Sequence, residues 1–255
     1  MIKIENVEVI GWEAAIRGMR NPMNSWEKSD SIAPMKCDDC NVRQSETMST
    51  ESKDATCRYC CARAGLIGLN DSNLMMKLRN AGTDHRKFMR MIIVYLDITA
   101  PLYWWKEFDT YKVGTVTNSC STMHKIADKE FTLEDFSHEH LTTQSIEYLK
   151  NTISLLNIYR GLYISKTDKQ VDQCTVMSDE CYTKYKKDIW WQMIQLLPSS
   201  YNQRRTVMLN YEVLANTYKS RCNHKLDEWQ ELCTWIESLP YSELITGELD
   251  GTDQN

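Results

Sequence analysis

A run of short polar side chains follows a pair of tryptophans within the stretch ITAPLYWWKEFDTYKVGTVTNSCSTMHK, residues 98–125. Hydroxyl and amide groups of this size bind phosphate or read the edge of a pyrimidine ring, and a thiolate is a nucleophile. The run consists of Asn118, Ser119, Cys120, Ser121 and Thr122. A turn is equally compatible with these residue types, and a single cysteine beside serines is more often a small buried residue. The apolar anchor followed by polar groups is typical of a pocket wall.

Four cysteines have the spacing C-x2-C-x16-C-x2-C, which lies in the range of thiolates that close a tetrahedron around zinc. They are Cys37, Cys40, Cys57 and Cys60, with Cys61 as a neighbour. Free thiols or a redox pair are the alternatives. The residues around them, 33–65, are rich in Ser, Thr and charged side chains, as in a loop or small module. We therefore predict an inserted cysteine-rich module, 33–65, that holds a structural zinc ion.

A third group of polar residues lies in RTVMLNYEVLANTYKSR, which we predict to be helical. Asn210 and Arg221 are eleven residues apart, three helical turns, and would share a face with Asn216 at its edge. Amides donate to and accept from a ring edge, and guanidinium pairs with phosphate, so this face suits a nucleotide. A solvated helix face is the alternative, and polar residue types alone favour it.

Hydrophobic periodicity predicts the elements that position these residues. IKIENVEVIG alternates apolar and polar residues as a strand does, and FMRMIIVYLDITAP predicts a buried strand that ends at Pro101. SNLMMKLRNAG predicts a helix with Ser72 as its N-cap and Gly82 after its end. The other predicted helices are WEAAIRGMRNP, LYWWKEFDTY, HLTTQSIEYLKNTISLLNIYRGLY, YTKYKKDIWWQMIQLLP and KLDEWQELCTWIESLP.

Length and charge exclude several classes of protein. The chain has 255 residues, of which 25% are charged and 42% hydrophobic, values typical of a globular fold. Its formal net charge of −5 gives no reason to expect nucleic acid as the main partner. No apolar run is long enough to span a membrane, and the N-terminus lacks the apolar region of a secretory signal. We therefore expect a cytoplasmic protein. The acidic end, residues 246–255, is predicted to be disordered.

The C-terminal half resembles the flavin-dependent thymidylate synthases. That family has Leu-Pro, an arginine after five further residues, an asparagine six residues on, another after six more, an arginine five beyond, and a tryptophan eight later. Here these positions are Pro198, Arg204, Asn210, Asn216, Arg221 and Trp229, without a gap. The resemblance implies flavin contacts for Asn210 and Asn216 and a flavin or nucleotide-phosphate contact for Arg221.

The N-terminal half is similar too. EAAIRGMRNPMNSW matches the family's early Arg-rich helix, and LRNAGTDHRKFMRMIIVYLDITAPLYWWKEF matches a helix, a turn similar to HETPFEH and a strand with Ala-Pro. The likeness covers most of residues 1–32 and 66–240. It implies a single α+β domain over residues 1–245, a twisted sheet flanked by long helices, with the cysteine-rich module as an insertion.

The chain departs from the family at its signature R-H-R-x2-S-x-N-E-x-S-x-R. Residues 110–123 read TYKVGTVTNSCSTM instead. Tyr111 and Lys112 lie near the His-Arg positions, Asn118 near Asn-Glu, and Cys120 or Ser121 near the later serine. Ile194 replaces an arginine that precedes the family's proline by four residues. The resemblance therefore supports flavin binding better than it supports methylation of dUMP.

The implied activity is methylation of dUMP to dTMP, with FAD as cofactor and NADPH and methylenetetrahydrofolate as co-substrates, in a homotetramer. The implied residues are Lys112, Ser121 and Cys120 for catalysis, Asn210, Asn216, Arg221 and Tyr111 for flavin, and Arg204, Asn118 and Ser119 for the nucleotide. Two alternatives stay open: a related one-carbon modification of another pyrimidine nucleotide, and a flavin- or nucleotide-binding protein without turnover.

Overall fold

The computed structural model describes residues 2–32, 67–165, 170–172, 175–176 and 178–247. The predicted cysteine-rich module, with Cys37, Cys40, Cys57 and Cys60, lies outside the described residues, as do residues 248–255 of the predicted acidic tail. The predicted α+β class is confirmed, because the described part of the chain consists of long helices together with a four-stranded and a two-stranded sheet.

The strands are β1 Lys3–Ile10, β2 Ile93–Pro101, β3 Val116–Ser119, β4 Gln170–Asp172, β5 Thr175–Val176 and β6 Asn202–Asn210. The α-helices are α1 Trp12–Arg20, α2 Leu69–Asn80, α3 Leu102–Phe108, α4 Thr122–Lys125, α5 Thr143–Ile164, α6 Asp179–Leu196, α7 Tyr211–Arg221, α8 Asp227–Glu237 and α9 Glu243–Thr246. Short 3-10 turns cover Asn21–Met23, Trp26–Lys28, Arg86–Met91 and Leu133–Asp135.

One sheet has the strand order β1-β2-β6-β3, so strands far apart in sequence are neighbours. β4 and β5 pair antiparallel in a separate two-stranded sheet. Over the described residues, the chain divides into two compact units, and all four strands of the larger sheet are divided between them, β1 after Ile4, β2 after Leu96, β3 after Val116 and β6 after Thr206. Unit one comprises residues up to Ile4, Asp97–Thr110 and Thr117–Thr206; unit two comprises Glu5–Leu96, Tyr111–Val116 and the residues from Val207 onward.

Both tryptophans of the opening stretch are core residues of unit one. Trp104 and Trp105 of α3 are buried, and their rings meet edge to face with centroids 4.9 Å apart. Trp105 Nε1 donates to Gln203 O at 2.9 Å, so the polar edge of this ring is satisfied. The pair therefore anchors α3 against the first residues of β6. A further cluster, around Leu156 of α5 and Met193 of α6, holds the two longest helices together.

Unit two packs α1, α7, α8 and α9 and the turn Arg86–Met91 around large buried side chains. Tyr211, the first residue of α7, is buried with its ring 5.2 Å from that of Trp12. Burial raises the pKa of this phenol, so Tyr211 stays neutral. A buried ion pair between Arg20 Nε and Asp71 Oδ1, at 2.6 Å, ties α1 to α2.

The predicted helix RTVMLNYEVLANTYKSR is wrong in its first third. Residues up to Asn210 form β6, in which Val207 and Leu209 are buried, and this alternation has the period of two that a strand requires. α7 begins at Tyr211, and Asn210 is its N-cap with an extended backbone at φ −131°. Asn210 and Arg221 therefore do not share a helical face, which corrects the predicted three-turn spacing.

Two smaller predictions are also wrong. The first part of FMRMIIVYLDITAP belongs to the 3-10 turn Arg86–Met91, in which the adjacent Phe88 and Met89 are both buried. α2 begins after Gly68, so Ser72 lies inside the helix. The Asp30 carboxylate accepts the first N–H groups of α2 instead, from Asn70 at 2.9 Å and Asp71 at 3.1 Å. The opening strand and the other predicted helices are confirmed as elements.

Candidate functional site

Arg221, the last residue of α7, lies in an aromatic cluster of unit two. Its Nε donates to Tyr111 OH at 3.0 Å, and its guanidinium carbon lies 4.7 Å from the centroid of the Trp229 ring. Trp229 is fully buried, while Tyr111 and Arg221 are partly exposed. A guanidinium held over a ring gains cation–π attraction, and its orientation is restricted before any ligand binds. The structure therefore brings together two of the predicted flavin residues, Tyr111 and Arg221.

The amide of Asn210 acts within the protein. Its Oδ1 accepts the N–H of Val213 at 3.0 Å, which caps the start of α7. The loop that carries Tyr111 passes this cap at Gly114, whose φ of +80° lies in the left-handed region. A Cβ at Gly114 would lie 2.8 Å from Asn210 Nδ2, so a larger residue would be strained. Asn210 thus sets where the loop meets the helix, and its flavin contact stays a prediction.

Asn216, the remaining predicted flavin residue, is exposed on α7 and accepts a hydrogen bond from Arg86 Nη2 at 2.9 Å. Arg86 Nε also donates to Glu212 Oε1 at 3.3 Å, and Arg90 Nε donates to the other oxygen of that carboxylate. Burial would raise the pKa of Glu212, but hydrogen bonds and charge from Arg90 and Arg86 outweigh it and lower the pKa. Glu212 is therefore a buried carboxylate that carries its charge at neutral pH.

Unit one contains a cavity of about 400 Å³ beside the first residues of β6. It is lined by Thr99, Cys120, Ser121, Thr122, Lys125, Ile126, Asp128, Lys129, Glu134, Asp135, Tyr201, Asn202, Gln203 and Arg204. Small-molecule sites usually enclose roughly 300–1,000 Å³, so the volume suits a nucleotide-sized ligand. The structure therefore places three predicted site residues, Cys120, Ser121 and Arg204, in one cavity.

Hydrogen bonds to the backbone hold the polar run at this cavity. Cys120 N donates to Arg204 O at 3.0 Å, and Gln203 Nε2 donates to Cys120 O at 2.9 Å. Ser121 Oγ accepts the N–H of His124 at 3.1 Å and caps α4. The Cys120 thiol is exposed and forms no disulfide. The small hydroxyls after the tryptophans thus have a local role, since they end β3 and begin α4, beside their place at the cavity.

The basic residues of the cavity have acidic partners. The ion pairs are Lys125–Asp128 at 2.9 Å, Lys129–Asp135, and Arg204–Asp97 at 2.7 Å. A hydrogen bond from Lys129 to Asp135 raises the pKa of the lysine and keeps it cationic. The lining holds three basic and three acidic side chains, so its formal charge sums to zero. An anionic ligand would therefore compete with these carboxylates for the cations.

Two other predicted residues of unit one, Asn118 and Ser119, are not among the residues that line the cavity. Asn118 and Ser119 are exposed on β3, and Lys112 is exposed in unit two. The structure therefore groups Cys120 with Ser121 in unit one. Their catalytic and nucleotide-binding roles stay predictions.

Sequence reasoning missed several residues of both groups. Lys129 and Tyr201 line the cavity, and Arg86 and Glu212 form the network with Asn216. Burial raises the pKa of Tyr201, so its hydroxyl stays a neutral hydrogen-bonding group. Lys129 could have been found because it lies close in sequence to the polar run 118–122. Glu212 could have been found because it is a carboxylate among otherwise apolar residues at the start of α7.

The described residues contain neither a candidate metal site nor a membrane-spanning helix. No group of three or more His, Cys, Asp or Glu side chains within the described ranges could hold a metal ion. In the same part of the chain, no helix is both long enough and apolar enough to cross a membrane.

Comparison with known proteins identifies the fold. No protein-family model matches the sequence, and no curated protein sequence matches it significantly. Solved structures do match, and the fold they share with this chain is that of the flavin-dependent thymidylate synthases, as predicted.

Two of these structures are crystal structures of the Helicobacter pylori flavin-dependent thymidylate synthase, each with FAD and dUMP. The TM-scores are 0.56 and 0.55, at 15% and 14% sequence identity. The matches cover 95% and 96% of this chain and 98% of each of the other chains. The likeness therefore extends over the whole fold, while the side chains are mostly different.

Proposed function

We propose that the protein is an FAD-dependent enzyme that methylates dUMP to dTMP, with NADPH and methylenetetrahydrofolate as co-substrates. The observation that carries the proposal is the cluster of Arg221, Tyr111 and Trp229. Arg221 and Trp229 fall on the family spacing at the end of the chain, Tyr111 falls near the signature, and unit two holds the three in contact. The solved structures of the same fold, which contain FAD and dUMP, add support.

The residues of unit two fit the anionic part of FAD. Arg86, Arg90 and Arg221 present guanidinium groups, whose paired N–H donors match the geometry of phosphate oxygens, and Asn216 adds an exposed amide. These side chains would hold and orient the cofactor, and Tyr111 would contact it beside Arg221. When bound, FAD supplies the redox chemistry of its isoalloxazine ring.

The nucleotide would occupy the cavity of unit one. Lys125, Lys129 and Arg204 are its cations, and phosphate binding would exchange their carboxylate partners for phosphate oxygens. The Ser121 hydroxyl accepts the N–H group that caps α4 and would donate its hydrogen to the phosphate or to the pyrimidine ring. Cys120 is not required as a nucleophile if the flavin polarises the pyrimidine.

A second candidate function is favoured by the replaced family signature. Residues 110–123 lack the signature arginines, which favours a pyrimidine nucleotide other than dUMP as the alternative occupant of the cavity. We propose this related one-carbon modification as the alternative enzyme. The further features that belong to the proposal are a homotetramer, a cytoplasmic location and a structural zinc ion in the module 33–65.

The absorption spectrum of the purified protein tests the proposal at its cofactor. Bound flavin absorbs near about 450 nm, and added FAD should give this band with a saturable change in fluorescence. Titration of separate samples of the FAD-loaded protein with dUMP and with dCMP, taken as a representative of the other pyrimidine nucleotides, distinguishes the two candidate functions. A protein that neither carries nor binds FAD would contradict both enzyme functions.

A further inference from the structure

Glu212 is a charged residue in an apolar setting. It occupies the first turn of α7 between Tyr211 and Val213, and all three side chains are buried. An unpaired carboxylate in such a place would be costly, so its partners determine what it does. Both partners come from the 3-10 turn Arg86–Met91 of the same unit.

The carboxylate binds both arginines through three hydrogen bonds. Glu212 Oε1 accepts from Arg86 Nε and from Arg90 Nη2, each at 3.3 Å, and Oε2 accepts from Arg90 Nε. Arg86 then reaches across to Asn216 Oδ1 at 2.9 Å. Glu212 and Asn216 are four residues apart, about one turn of α7, so the two residues that accept hydrogen bonds from Arg86 lie on the same side of the helix.

The network opens towards solvent, unlike the pairing of Asp71, another buried carboxylate of unit two. Asp71 and its partner Arg20 have exposed fractions of 0% and 4%, and Ser29 and Ser31 also donate to Asp71. Around Glu212, by contrast, the side chain of Arg86 is 18% exposed and that of Arg90 is 55% exposed. The Arg20–Asp71 pair is enclosed by the protein. Glu212, in contrast, binds Arg86 and Arg90 while parts of both arginine side chains stay accessible to solvent.

We propose that Glu212 is a positioning residue of the candidate flavin site, which holds the guanidinium of Arg86 beside Asn216 so that both meet the cofactor. Arg86 uses Nε and Nη2 within the described residues, and a guanidinium has five N–H donors. The remaining donors can bind an anionic group without breaking the network. Because this inference rests on the proposed function, its test must separate loss of positioning from absence of FAD binding.

The test is a fluorescence titration of FAD onto the full chain, with circular dichroism to show that each variant is folded at the temperature used. Glu212→Gln keeps the size of the side chain but directs an amide N–H group at one of the arginines. We expect FAD affinity to fall about tenfold, equivalent to about 1.4 kcal/mol. Asp71→Asn is the matched control, since it breaks a buried ion pair of unit two and should leave FAD affinity unchanged.

A double-substitution cycle shows whether Glu212 acts through Arg86. Arg86→Met should weaken FAD binding as much as Glu212→Gln does, and the two together should weaken it no further. Additive losses, or an Arg86→Met protein with wild-type affinity, would overturn the positioning role, and the second outcome can be read even if Glu212→Gln does not fold. Wild-type protein that binds no FAD would remove the proposed function and this inference together. Wild-type binding with equal affinity in Glu212→Gln would remove only the inference.

Discussion

Arg221 Nε donates to the hydroxyl of Tyr111 at 3.0 Å, which joins the end of α7 to the first residue of the segment Tyr111–Val116. The two residues are 110 positions apart in sequence. Tyr111 belongs to the region where the family signature is replaced, and Arg221 to the region where the family spacing is kept. The contact therefore links the altered and the retained parts of the resemblance within unit two.

Replacement of Arg221 should weaken FAD binding. Arg221→Ala removes hydrogen bonds from a charged group, each worth about 1.5–3 kcal/mol. Affinity for FAD should therefore drop by roughly ten- to a hundredfold while the fold survives. Fluorescence titration measures the affinity, with Lys219→Ala, an exposed cation on the same helix, as the control that should bind FAD normally. If Arg221→Ala binds FAD as tightly as wild type does, and also binds dUMP as tightly, the site assignment is wrong.

Cys120 and Ser121 should be separable by substitution. Cys120→Ala removes an exposed thiol that the flavin mechanism does not need, so measurable turnover should remain. Ser121→Ala should weaken nucleotide binding and also remove the α4 cap, at a cost of about 1 kcal/mol in stability. Ser121→Thr keeps the hydroxyl and should behave nearly as wild type. If folded, FAD-bound Cys120→Ala has no turnover at all, covalent catalysis by the thiol becomes the better account.

Asp71 should make stability depend on pH in the acid range. Burial would raise its pKa, but hydrogen bonds from Ser31, Ser29 and Arg20 and the charge of Arg20 outweigh burial and hold the pKa below 3.8. Since the folded-state pKa is depressed, this stabilisation is present above the unfolded pKa and is lost as pH falls through the folded one. The free energy of unfolding should therefore decline as pH drops below about 4, the range in which unfolded aspartate takes up protons.

Asp71→Asn isolates this contribution. The variant should lose about 3–5 kcal/mol at neutral pH, because Arg20 is left buried without its anion. Denaturant unfolding of both proteins at neutral pH and near pH 3 should show a smaller difference between them at the lower value. A difference that stays constant with pH would mean that the Asp71 carboxylate is not perturbed by folding.

The cysteine module should bind one zinc ion per chain. Metal analysis of the purified protein tests this, and joint replacement of Cys37 and Cys57 should abolish zinc binding. FAD binding should survive, because the module 33–65 is predicted as an insertion into the fold. A metal-free, folded preparation in which all four thiols titrate would end the zinc prediction.

The sequence predicted elements wherever one period dominated. The alternation of β1 and the proline at the end of β2 were sufficient for two strands of the main sheet. β6 was missed because Val207, Leu209 and the apolar residues of α7 follow one another without a break, so a single apolar run covers a strand and a helix. Only the cap at Asn210 marks the boundary, and an asparagine alone is a weak signal.

The candidate site was less predictable, because its contacts join distant parts of the chain. Glu212 and Arg86 are 126 residues apart, and no local pattern signals that pairing. Cys120 and Ser121 were named from the polar run and Arg204 from the family resemblance, but the charge balance of their cavity depends on Asp128, Glu134 and Asp135. Local sequence shows which groups are present, whereas tertiary packing decides which of them are neutralised.

Formation of dTMP is the direct test of the proposed enzyme activity. Purified protein would be incubated with FAD, NADPH, methylenetetrahydrofolate and dUMP, and the products separated by chromatography. We expect dTMP to form only when all four components are present, and to form more slowly with Arg221→Ala at limiting FAD. Protein that binds FAD and dUMP yet forms no dTMP under these conditions would contradict the proposed activity.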